Sequence, residues 1–284
     1  MIYPTINDEF LKGRPLSYSS LKAFRKSPKH YLEYLIEPRI SSDAMMLGSI
    51  VEKILLYSQQ EFEQEYLVYE LTASKASKEG KEQFTTLCNK ANANSVTLVT
   101  KELYETAKVI VESLKSFDEL KPYLNNVKRR RLMLRWTDGS TQLPMIGYTD
   151  WDSKVGHDLF VCDLKVLKSA DPDDFNKAAW NYDYHIQVGS YLEGYRRTRF
   201  SFPYFLFVVV ESSAPYNVSL MFVDNKYMQF CKDEFLGSLK AFRYCMDNDL
   251  FYQGYEFRLM KTMAYFSLTK PGWAKAKYGD FNDE

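Results

Sequence analysis

Eight residues constrain this chain more than any others: Leu159-Phe160-Val161-Cys162-Asp163-Leu164-Lys165-Val166, an apolar, strand-forming run broken by an acid and a lysine two apart. Side chains alternate faces along a strand, so Asp163 and Lys165 project together while Leu164 points into the core. Charge placed on a buried strand is costly and asks for a partner or a metal. Thirteen residues earlier, Asp150 stands in Gly147-Tyr148-Thr149-Asp150-Trp151, which reads as the preceding strand. Two carboxylates and one lysine can therefore converge on one point. Hard divalent cations such as Mg²⁺, with Mn²⁺ as a substitute, take oxygen ligands and keep several waters, so two carboxylates beside a phosphate suffice.

The helix that follows carries Gln187 and Tyr191, four apart and so on one face, among the core-type residues Ile186, Val188 and Leu192. A glutamine beside a phenol suits contacts to a phosphate or to Lys165. His185 lies on another face and reads as structural.

Each of these signals has a plain alternative. Asp163 and Lys165 could form a structural ion pair with a neighbouring strand, and Gln187 and Tyr191 could cap or pack. Glu52 is a lone acid in the apolar helical run Met45 to Leu56, either partly exposed or a third carboxylate of the site. The basic run Lys128-Arg129-Arg130-Arg131 beside the sheet is the most evident patch for phosphates, or else a solvated strand end.

The chain has 284 residues, 45% hydrophobic and 16% aromatic, enough for one large domain or two small ones with a well-filled core. Lysines and arginines equal aspartates and glutamates at 37 each, so a nucleic-acid partner must be held by a local patch rather than by bulk charge. Four scattered cysteines without a CxxC pair, and no signal peptide, predict free thiols and a cytoplasmic setting. No apolar run reaches the roughly 20 residues of a membrane span.

Serine-capped helices open the chain at Ser17 and Ser27-Pro28. Residues from about 58 to 125 are more polar and read as a helical insertion or arm on a single domain spanning 1–284. Strands are expected only after the basic run: 132–136, about 142–153 and 159–166 as an antiparallel meander. Two helices to Arg197, a hairpin at about 204–211 and 217–223, a helix over about 226–247 and an irregular tail from Pro271 complete the pattern. The expected fold class is α/β (α+β), a mixed central sheet flanked by helices.

In this order the motifs resemble the RecE-type exonucleases, exonuclease VIII and its phage-encoded relatives, of the PD-(D/E)xK superfamily that also includes lambda exonuclease. Ser27-Pro28-Lys29-His30-Tyr31 resembles the family's opening, and Leu47-Gly48-Ser49-Ile50-Val51-Glu52 its Gly-Thr-x-x-His helix, with Glu52 where histidine is frequent. Tyr148-Thr149-Asp150 resembles the Arg-x-Asp step, with tyrosine for arginine, and Asp163-Leu164-Lys165 the Asp-x-Lys. Tyr182 to Tyr195 is similar to the family's histidine, glutamine and tyrosine helix. Val210 to Tyr216 and Pro271-Gly272-Trp273-Ala274 fit its later strand and tail.

The resemblance implies a restriction-endonuclease-like core and a Mg²⁺-dependent exonuclease that degrades linear double-stranded DNA from 5′ ends, leaving 3′ tails for recombination. It implies that Asp150, Asp163 and the backbone carbonyl of Leu164, with Glu52 as a further candidate ligand, hold the metal, that Lys165 positions or deprotonates the attacking water, and that Gln187 and Tyr191 steady Lys165 or the substrate backbone. Lys128, Arg129, Arg130 and Arg131 would guide DNA. A homo-oligomeric ring, a single-strand annealing protein or recombinase as partner, and a phage gene in a bacterial host also follow. The rivals are an endonuclease or single-strand nuclease of the same superfamily, and a catalytically silent DNA-binding protein.

Overall fold

Serines set most of the early helix starts, because an N-cap hydroxyl satisfies an amide that the first turn leaves unpaired. The computed structural model describes residues 3–37 and 42–258. A first helix, α1 (Asp8–Gly13), is capped by Asn7. Ser17 caps α2 (Tyr18–Lys26), and Ser27, with Pro28 at the first turn, starts α3 (Pro28–Ile36). Ser42 caps α4 (Asp43–Leu56), and Ser58 caps α5 (Gln59–Glu63).

The segment expected to be helical from about 58 to 125 also contains strands. β1 (Tyr66–Tyr69) pairs in parallel with β2 (Thr97–Thr100) across α6 (Lys78–Asn94). α7 (Lys101–Ser116) then packs on α4 through Ala107, Ile110, Val111 and Leu114, and short α8 (Lys121–Asn125) follows. Polar composition hid this contribution to the core, since the apolar residues of α7 form one stripe on a charged helix.

The strands correct the expected meander at two places. The basic run is itself mostly a strand, β3 (Val127–Arg130), hidden by its charge, with Lys128 and Arg130 exposed and Val127 and Arg129 half-buried. The segment from 142 to 153 is two strands. β4 (Met133–Thr137) and β5 (Pro144–Tyr148) form their own antiparallel pair, and the chain bends at Thr149 and Asp150 before β6 (Trp151–Val155) enters the main sheet. That sheet continues through β7 (Asp158–Leu167), β8 (Tyr204–Glu211) and β9 (Val218–Val223) in the order β3-β6-β7-β8-β9. Only β7 and β8 run parallel, joined by a crossover through α9 (Pro172–Asn181) and α10 (Tyr184–Arg199). Helices α11 (Asn225–Asp247) and α12 (Tyr255–Arg258) end the described chain, and the expected tail from Pro271 lies outside the described residues.

The sheet is mixed and flanked by helices on both faces. Period-2 alternation sends Val161, Phe205, Phe207 and Val209 into a core with α10 and α11, and Cys162, Leu164, Leu206, Val208 and Val210 into a second core with α4 and α7. Each fully buried aromatic or aliphatic side chain contributes about 1.5–3 kcal/mol. Helices α10 and α11 meet so closely at Gly189 that an added Cβ would lie 2.3 Å from the Cys231 carbonyl oxygen.

Candidate functional site

The site lies where β6 stops. Trp151 is opposite Cys162, and beyond that pair β7 keeps β8 as its partner but has no β6 residue beside it. The next exposed amide on that side, Leu164 N–H, donates instead to Asp150 Oδ2 at 2.7 Å. Asp150 therefore sits in the bend rather than on a strand, and its backbone carbonyl accepts from Arg131 N–H at 2.7 Å. The N–H and C=O of one strand residue project to the same side, so the Leu164 carbonyl faces the gap that Asp150 occupies.

Asp163 and Lys165 share the face toward α10, as alternation requires. Lys165 Nζ lies 2.5 Å from Asp163 Oδ2. Gln187 binds both members of the pair: its Nε2 donates to Asp163 Oδ1 at 2.7 Å, and its Oε1 accepts from Lys165 Nζ at 3.1 Å. Tyr191 OH is 3.4 Å from Gln187 Nε2, and the Tyr184 ring lies 4.6 Å beneath the Lys165 ammonium. Asp163 is only 1% exposed. Burial raises its carboxyl above the usual range against the opposing pull of Lys165 and Gln187. For Lys165, burial works against the charge, but Asp163, Tyr184 and Asp150 more than offset it and hold the ammonium up.

Glu52 enters from α4 on the other face of the sheet. It lines a cavity of about 220 Å³ with Asp150, Arg131, Lys53, Tyr57 and Tyr148. Burial, then the Asp163 charge, pushes its carboxyl up to about 6. Burial, then Asp163 and Glu52, hold the Asp150 carboxyl well above its ordinary range. Glu52 and Asp150 thus share one gap, and the Asp163 charge from the α10 side disfavours the ionisation of both, with Lys165 opposing it at Asp150 and Arg131 at Glu52.

Of the sequence candidates, Glu52, Asp150, Asp163, Leu164, Lys165, Gln187 and Tyr191 come together. The basic run does not act as one patch. Arg129 points inward and pairs with fully buried Asp152 at 2.7 Å, a carboxylate that also accepts from Tyr195 OH at 2.7 Å. Arg130 lies over the Tyr57 ring, Arg131 reaches the Glu52 cavity, and Lys128 faces solvent. Strand alternation separates Arg129 from Lys128 and Arg130, and Arg131 takes its own direction because it lies past the end of β3 with φ 47°. His185 is buried, stacked on Trp180 and in contact with Arg25, as expected of a structural histidine.

Sequence reasoning passed over Tyr184, although its place three residues before Gln187 put it one helical turn away. It also passed over Tyr195, which continues the Gln187 and Tyr191 row by another four residues, and Asp152, whose burial no local pattern announced.

Among the described residues no three His, Cys, Asp or Glu side chains converge closely enough to hold a metal by themselves. The donor set matches the other common arrangement, in which one or two carboxylates and a carbonyl leave positions for water and a substrate phosphate. The shared excess of negative charge at Glu52, Asp150 and Asp163 is what such a cation would neutralise.

An acid at the start of one strand, an Asp-x-Lys on the next and a glutamine from the crossover helix, on a mixed sheet between helices, define a core of the PD-(D/E)xK nuclease class. Residues 17–252 match the model of a family described as a PDDEXK-like domain of unknown function (DUF3799), and the chain belongs to that family. Nucleases of this class generally use divalent metals. A crystal structure from Eubacterium rectale, described as a "putative exonuclease", has the same fold: TM-score 0.54 at 16% identity, covering 97% of this chain and 99% of that one. No curated protein matches the sequence. Among the described residues no helix is long and apolar enough to cross a membrane.

Proposed function

We propose that this protein is a Mg²⁺-dependent DNA exonuclease of the RecE type, able to use Mn²⁺, which shortens linear duplex DNA from 5′ ends and leaves 3′ single-stranded tails. The observation that carries the nuclease part is the gap beside β7, where Asp150 accepts from Leu164 N–H while Asp163 and Lys165 are held by Gln187. Polarity and preference for ends rest on the family resemblance of the motifs.

A divalent ion held by Asp150, Asp163, the Leu164 carbonyl and Glu52 would polarise the scissile phosphate and acidify a water. Lys165, kept protonated by Asp163, places a positive charge beside the attacking water and the phosphate oxygens. Gln187 accepts a second hydrogen bond from that ammonium, at 3.1 Å, and so fixes its direction within the close ion pair with Asp163. Tyr191 backs Gln187 from one turn further along α10. Arg131 and Lys128 remain as phosphate contacts that carry no sequence information. Duplex ends as substrate, a ring of subunits, a recombinase or annealing protein receiving the tails, and a phage gene acting in bacterial cytoplasm complete the reading.

Digestion of 5′-phosphorylated linear duplex and of covalently closed circular DNA, with Mg²⁺ or EDTA, tests it. Wild type with Mg²⁺ should shorten the linear substrate from 5′ ends and spare the circle, and Lys165→Ala should lose on the order of 10²–10⁴ in rate. Cleavage of the circle would instead identify an endonuclease. No cleavage of either substrate would identify a binding protein.

A further inference from the structure

From the site outward runs a chain of stacked groups that the cleavage chemistry does not use. The Lys165 ammonium lies over Tyr184, the Tyr184 ring stacks on Tyr182 with centroids 5.8 Å apart, and Lys22 Nζ lies 4.8 Å from the centroid of Tyr182 on its way to solvent. Tyr182 is 48% exposed, and the neighbouring Trp180, stacked on His185, is 59% exposed. Both rings have partners, Trp180 on His185 and Phe230, and Tyr182 on Tyr184 with Lys22 over it, yet each keeps about half its surface or more open.

A groove of about 570 Å³ accompanies them. Its walls are α2, through Tyr18, Lys22 and Lys26, the connection from α9 to α10, through Asp183, and Arg258. Residues 18, 22 and 26 are spaced four apart, so α2 presents them as one row. The wall also contains Arg25, whose charge is taken up by Asp183 at 3.3 Å and Glu234 at 3.4 Å. With Arg25 and Asp183 offsetting each other, Lys22, Lys26 and Arg258 leave the groove positively charged. Tyr18 joins it to the catalytic side, because the same ring lines the cavity that contains Gly147, Tyr148 and Tyr191. The Tyr18 hydroxyl donates to the Tyr182 carbonyl, which ties the α2 wall to the aromatic platform.

Exposed rings for bases and a row of cations for phosphates are what sequence-independent binding of single strands requires. We infer that the groove between α2 and the connection from α9 to α10 binds single-stranded nucleic acid next to the scissile position, with bases stacking on Tyr182 and Trp180 and phosphates on Lys22 and Lys26. The inference rests on the nuclease reading and deepens it: the strand that is held is one already separated from its complement. Duplex is a poorer fit, because paired bases do not offer their faces to a side chain.

Fluorescence anisotropy of fluorescein-labelled oligothymidylate, in EDTA so that no strand is cut, tests the groove separately from catalysis. Tyr182→Ala should weaken binding about tenfold, and Tyr182→Phe should keep it, since stacking needs the ring and not the hydroxyl. Lys22→Gln should reduce the slope of log affinity against log salt by about 0.7. Equal affinity of wild type and Tyr182→Ala, or equal loss in Tyr182→Phe and Tyr182→Ala, would overturn the inference. A protein that digests duplex but binds oligothymidylate without regard to Tyr182 and Lys22 removes the groove alone. One that binds through Tyr182 but digests nothing removes the exonuclease reading and leaves the groove.

Discussion

Gln187 donates to Asp163 and accepts from Lys165, so one amide bridges and orients the two charged groups that β7 projects toward α10. Neither alanine nor glutamate can do both. Alanine leaves a buried carboxylate with one partner fewer, at a cost of about 1–3 kcal/mol, and removes the acceptor that directs the Lys165 ammonium. Gln187→Ala should therefore lower the urea midpoint and also reduce cleavage by about 10–100-fold, the usual effect of losing a residue that orients a metal-site ligand. Gln187→Glu keeps the size but faces Asp163 with a second carboxylate, so its cleavage should be no better than that of alanine. Full activity in Gln187→Ala, measured on linear duplex, would mean that the ion pair positions itself.

Helix α10 delivers Gln187, Tyr191 and Tyr195 on one face, and the third of these reaches Asp152 beside the Asp150 bend. One helix thus braces both strands that carry the acids. Its position depends on close contact with α11 at Gly189, where an added Cβ would meet main chain at 2.3 Å and the Phe235 Cβ at 2.7 Å. Backbone cannot swing aside as a side chain can. Gly189→Ala should cost about 3 kcal/mol, the upper end for overpacking, read as a lower urea midpoint, and cleavage should fall with it as the Gln187 row shifts. Much of this level was legible in the sequence: the serine caps, the strand around Asp163 and the helix spacing of Gln187 and Tyr191 all follow from local rules. What was not legible is non-local. No local pattern marks Thr149 and Asp150 as the point where one extended run leaves one sheet and joins another. The inward turn of Arg129 depends on Asp152, 23 residues away.

Across the whole molecule, the sheet separates two cores, and the site draws from both, Glu52 from the α4 side and Gln187 from the α10 side. Charge in the gap is therefore felt by global unfolding. Burial and then Asp163 raise the Glu52 carboxyl from 4.5 to about 6, so between those values the folded protein binds more protons than the unfolded chain. The Glu52 contribution to stability must then fall as pH rises through that window. The ceiling for Glu52 is about 2 kcal/mol; Asp150, raised by burial and by Asp163 and Glu52, and Asp163, raised by burial, add in the same direction. His30 and His185, held below the usual imidazole range by burial, act in the opposite direction in this window, so the comparison that isolates Glu52 is between variants: in EDTA, the urea midpoint of Glu52→Gln should gain on that of wild type as pH rises from 4.5 to 6.5. Mg²⁺ favours the ionised acids, so a concentration of about 100 times its Kd should restore about 2.7 kcal/mol at the higher pH and much less at the lower. A difference between Glu52→Gln and wild type that does not change with pH, or Mg²⁺ stabilisation that is equal at both pH values, would show that the carboxylates do not share one electrostatic site.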